Sequence, residues 1–136
     1  MEHYPDPQGA LDAMLAALRP GGVLLLTFGP PWWSPRGSHM QHITPLPWLN
    51  ILFPESAVMT VRSRYCHDGA RRYEEVESGL NKMSLRKFER LTDRPDMAVT
   101  SRRYTAVKSL NVLTRIPVVR ELMTNRVTVV IRKVTP

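Results

Sequence analysis

A chain of 136 residues with 43% hydrophobic content fits one globular domain and excludes a disordered polypeptide. A net charge of +7 is dispersed without any run of five basic residues, so it reads as a solvated surface and makes a nucleic-acid module the weaker alternative. The absence of a run of roughly 18 apolar residues or of a basic-then-apolar leader excludes a transmembrane helix and a secretory signal, while the single Cys66 rules out an internal disulfide and suits a reducing, cytoplasmic setting.

Met1 to Pro5 read as a loop entering a helix. Asp6 is a helix cap and Pro7 fits the first helical position. Ala10, Leu11, Met14, Leu15 and Leu18 recur at helical spacing, which predicts a helix over residues 7–19. Arg19 would meet its negative C-terminal end. Pro20, Gly21 and Gly22 stop the helix and turn the chain. Val23 to Phe28 form a nearly unbroken apolar run, the pattern of a strand covered on both faces in a parallel sheet.

Residues 29–47 form a long connection leaving the C-terminal end of that strand, where open α/β sheets place ligands. Trp32, Trp33, His39 and His42 stand there as candidate walls of a substrate pocket, against the alternative that the tryptophans only fill the core. His39 and His42 share a helical face if the segment is helical, but a zinc site needs three or four ligands and no third is near in sequence. The expectation is therefore no metal.

Residues 47–53 suggest a short apolar helix, and a second restarts at Pro54 and Glu55. Residues 65–83 are polar and poorly patterned, with a turn at Asp68-Gly69. Cys66 and His67 are adjacent in sequence, a poor arrangement for a nucleophile and its base. Ser84 caps a predicted helix over 84–91 with Leu85, Phe88 and Leu91 inward. Met97 to Val107 and Arg126 to Val134 read as strands, with a short helix over 118–123 between them and a turn at Asn125.

The stretches Met1-Glu2-His3-Tyr4-Pro5-Asp6-Pro7 and Leu18-Arg19-Pro20-Gly21-Gly22-Val23-Leu24-Leu25-Leu26 resemble class I S-adenosylmethionine-dependent methyltransferases. There a Leu-Glu-His-x-x-Asp-Pro loop follows the fourth strand and a Leu-Lys-Pro-Gly-Gly turn opens the fifth. Leu80 to Leu91 is similar to the helix before the sixth strand in some members. The resemblance implies a partial Rossmann-like α/β methyltransferase fold over residues 1–136, a single partial domain matching the C-terminal half of the family's domain. The final two strands would pair antiparallel, and the segments over 47–62 would cap the active-site mouth. Glu2 and His3 would lie beside the methionine end of S-adenosylmethionine. His3, His39 and His42 are the candidate general bases, since histidine titrates near neutrality. Trp32, Trp33 and His39 would contact a small-molecule or lipid-like acceptor.

The chain departs from the family in one respect that matters. None of its seven glycines forms the Gly-x-Gly of the cofactor loop. The resemblance therefore implies methyl transfer only with a missing N-terminal half or partner chain, and weak cofactor binding by this chain alone. The alternatives are a non-catalytic remnant or an accessory subunit.

Overall fold

The computed structural model describes residues 1–76 and 79–134 of a mixed α/β protein with a small three-stranded antiparallel sheet. In chain order the main elements are α1 (Pro7–Ala16), β1 (Val23–Phe28), α2 (Leu49–Leu52), α3 (Glu55–Arg62), α4 (Leu85–Thr92), β2 (Met97–Ala106), α5 (Pro117–Met123) and β3 (Thr124–Lys133). None of these helices is long and apolar enough to cross a membrane.

The caps follow the local chemistry. Asp6 Oδ1 accepts from the Gly9 N–H at 2.9 Å, and Pro7 opens α1 without an unsatisfied donor. Ser84 Oγ accepts from the Lys87 N–H at 3.1 Å at the start of α4. The helix expected over 7–19 ends at Ala16 instead. The cation at its C-terminal end is Lys133 rather than Arg19: Lys133 Nζ donates to the carbonyls of Leu15 and Leu18, both at 2.9 Å.

The strand order is β1-β3-β2, and β3 runs antiparallel to both neighbours. The antiparallel closing pair is as expected, whereas β1 pairs antiparallel rather than in a parallel sheet. Asn125 makes no turn, because α5 passes directly into β3. Alternate side chains of a strand face opposite sides. In register, Leu24, Leu26 and Phe28 stand beside Ile131, Val129 and Val127. This face is buried under Leu11 and Leu15 of α1 and Leu85 and Phe88 of α4. The Phe28 and Phe88 rings lie 4.7 Å apart.

β1 departs from the expected double cover. Both α1 and α4 lie on the Leu26–Phe28 side, so Val23 and Leu25 are 51% and 67% exposed on the other. The apolar run correctly marks two hydrophobic faces, but only one is covered among the described residues. Nor is a parallel neighbour of β1 among them.

A second, smaller core lies beyond the end of β1. It gathers Met40, Leu49, Val58, Met59, Tyr73 and Leu80, with Trp32 packed against it. The segment over 29–47 is not an open lid. Pro31, Ser34, Pro35, Gly37, Ser38 and Met40 within it are buried. Gly37 is there because a Cβ would sit 2.0 Å from the Trp32 carbonyl oxygen. The Trp32 N–H donates to the Met83 carbonyl at 2.7 Å, which joins this segment to the residue before the cap of α4.

Candidate functional site

Three segments meet at the C-terminal end of β1. Asn81 fastens the first residues: its Nδ2 donates to the carbonyls of Met1 and Tyr4 at 2.8 and 2.7 Å, and its N–H donates to that of Glu2 at 3.0 Å. Glu2 is thereby turned inward and buried. Its Oε1 accepts from the Gly29 N–H at 3.0 Å, and its Oε2 lies 3.1 Å from the Met1 ammonium. Gly29 has φ +138°, and a Cβ there would stand 2.4 Å from the Asn125 carbonyl oxygen, so only glycine fits.

His3 Nδ1 lies 2.8 Å from the Gly79 carbonyl, which can only accept, so Nδ1 carries the hydrogen of this contact. Its Nε2 then faces Glu2 Oε1 at 3.8 Å. His39 approaches from the loop after β1. Its ring meets that of His3 edge-on with centroids 5.1 Å apart, and its Nε2 lies 3.4 Å from the Pro30 carbonyl. The His39 backbone has φ +56°, a conformation sparse for any residue but glycine. Burial is the main cause that pushes the His39 pKa below its ordinary value, and nearby His3 adds to it; the Pro30 carbonyl and Glu2 oppose. Burial thus favours the uncharged imidazole of His39, the form that can accept a proton or ligate a cation.

The chain thus brings together Glu2, His3 and His39, each picked out in the sequence. It separates the others. Trp32 packs edge-on against Tyr73 at 4.9 Å in the second core. Trp33 lines a groove between α4 and α5 with Leu85 and Val118. The two tryptophans therefore do not wall one pocket with His39; the tight turns after Pro31 send them to opposite sides. His39 and His42 do share a cavity of about 480 Å³, with Arg62, Cys66 and Leu80. Yet His42 pairs elsewhere, its Nε2 3.7 Å from Cys66 Sγ.

That His42–Cys66 contact has no sequence signal, because the partners come from a loop and from the turn after α3. The same holds for the pair beside it. Arg62, buried at the end of α3, donates from both terminal nitrogens to the Asp68 carboxylate, each at 2.6 Å. The Arg62 guanidinium is the main cause that holds the Asp68 pKa down at about 2. A carboxylate with a folded pKa below its unfolded value stabilises fully above the latter and loses that contribution as pH falls through the former. Asp68→Asn is therefore expected to lower the unfolding midpoint at pH 7, with the difference from the parent shrinking between pH 4 and pH 2. Urea melts across that range check it; a difference unchanged at pH 2 would show that the ion pair contributes nothing.

No family model, curated protein or solved structure matches the chain.

Proposed function

We propose that the chain is the C-terminal portion of a class I S-adenosylmethionine-dependent methyltransferase, acting on a small-molecule or lipid-like acceptor. The observation that carries this reading is the convergence of Glu2 and His3 with Gly29. Two motifs separate in sequence, the Glu-His loop and the strand opened by Pro-Gly-Gly, meet at one strand end. Strand ends of this kind hold the ligands of open α/β sheets. The β1-β3-β2 order, with β3 antiparallel to both neighbours, supports the same assignment.

The residues fit one end of the cofactor. Glu2 is a buried carboxylate held at this strand end by the Gly29 N–H, and a carboxylate has the chemistry to hold the amino group of a methionine moiety. The cofactor supplies the electrophilic methyl group. The chain's own part is to hold the acceptor in line and to accept its proton. His39, kept neutral by burial, is the base this geometry favours, with His3 beside it. The sequence offers no Gly-x-Gly loop for the rest of the cofactor, so a further segment or partner chain completes the site. The same gap favours, as a second reading, a non-catalytic accessory subunit.

Nuclear magnetic resonance titration with S-adenosylhomocysteine tests the assignment. The expected result is weak, fast-exchange shifts at Glu2, His3 and Gly29, with calorimetry giving an affinity poorer than micromolar. Shifts absent from these residues would overturn the methyltransferase reading. Micromolar affinity would overturn the need for a completing segment.

A further inference from the structure

We propose that Glu2, His3 and His39 form a site for one divalent transition-metal ion of the zinc class, with a coordination position left open to solvent or substrate. One donor atom from each residue lies within 4.8 Å of the other two. In a tetrahedral site with ligands about 2.0–2.2 Å from the ion, donors stand about 3.3–3.6 Å apart. His3 Nε2 and Glu2 Oε1 are already 3.8 Å apart. Side-chain rotations of about an ångström would close the set onto an ion of that radius.

The surroundings have the form that metal-ligating histidines use. The His3 Nδ1–H donates to the Gly79 carbonyl at 2.8 Å, which fixes the ring and directs Nε2 at the ion position. Glu2 Oε1 is held by the Gly29 N–H, which leaves a second lone pair on the same oxygen. The strained His39 backbone, at φ +56°, is held by its turn, with the His39 N–H donating to the Arg36 carbonyl at 3.0 Å.

The donor set selects the ion. Two imidazoles and one carboxylate suit zinc and its neighbours, whereas magnesium and calcium prefer all-oxygen cages. Three protein ligands also leave a fourth position, as sites that bind substrate or water do, unlike the closed sets of structural zinc. His39 lines one cavity and His3 another, and Leu80 lines both, so an exchangeable ligand has room on either side. Every donor belongs to this chain, so the ion does not need the methyltransferase assignment; with an ion bound, His39 is a ligand and no longer a general base.

The test is calorimetric titration of the full chain with Zn²⁺, repeated in excess Mg²⁺. One ion per chain at micromolar affinity or tighter, undisturbed by Mg²⁺, is expected. Glu2→Gln keeps an acceptor for Gly29, and His39→Asn keeps a residue tolerant of positive φ. Each should weaken Zn²⁺ by more than about tenfold, the smallest loss that removing even an outer partner gives. His42→Ala with Cys66→Ser should leave the affinity unchanged. Binding that survives the first two variants, or vanishes in the third, overturns the assignment. Co²⁺ substitution in the unaltered chain is a second readout that needs no variant to fold. An intense tetrahedral visible band without a thiolate charge-transfer band is expected. A thiolate band would put the ion on Cys66 and refute the site, as would no spectral change at all.

Discussion

Replacing Phe88 with alanine is expected to destabilise the chain by about 3–5 kcal/mol, the range for removing a buried aromatic side chain. A domain has about 5–15 kcal/mol in all, so this one ring would account for a large share of it. Phe88 is 1% exposed and stacks at a tilt on Phe28, where α4 and β1 meet. Its loss opens a cavity between the helices and the sheet, in the middle of the main core. The effect should reach the candidate site, because Met83, just before the Ser84 cap of α4, lies two residues from Asn81, which fastens Met1 to Tyr4. Denaturant melts should show a lower midpoint with an unchanged slope. Val118→Ala, at a residue 74% exposed on α5, should stay within about 0.5 kcal/mol. A loss under about 1 kcal/mol for Phe88→Ala would mean that α4 is not pinned to the sheet through this ring.

The second large effect concerns the bare side of β1. Val23 and Leu25 project from a strand whose outer edge has no partner among the described residues. Exposed apolar edge strands pair with other chains. The chain alone is expected to self-associate as its concentration rises, and Leu25→Lys with Val23→Thr to return it to monomer. Lysine on an edge strand blocks pairing by its charge, while the change in folding stability should stay within about 0.5 kcal/mol because both residues are exposed. Sedimentation velocity over a concentration series decides it. A parent chain that stays monomeric throughout would show that this face needs no cover. Under the methyltransferase reading, the completing segment would supply that cover.

What could be read in advance follows the range of the interactions. Asp6, Ser84 and the apolar spacing of Leu11 and Leu15 act within one or two turns, so α1 and α4 were legible from the residues alone. β3 was legible because Val127, Val129 and Ile131 combine β-branching with alternation. The run Val23–Phe28 states how apolar a strand is but not what lies over it. At the site, Glu2, His3 and His39 were visible as chemistry. Their meeting was not, since it depends on Asn81, Gly79 and the turn at Arg36. His39 lies far in sequence from the opening residues that bring Glu2 and His3 beside it. His42–Cys66 and Arg62–Asp68 depend wholly on how α3 ends and turns back.

Lys133 has one more implication, for the order in which the chain can fold during synthesis. Its Nζ closes the end of α1, while its backbone exchanges hydrogen bonds with Gly21 and Gly22 at 3.1 and 2.9 Å. β1 finds its only strand partner among the described residues in the same late segment. α1 and β1 therefore gain this helix cap and this strand partner only once the polypeptide through Lys133 has cleared the ribosome. Contacts that span so much sequence form slowly, since closing the long loop loses entropy before the pairing returns energy. For that interval the edge of β1 that β3 later takes stays unpaired, a window in which a chaperone would have its natural substrate.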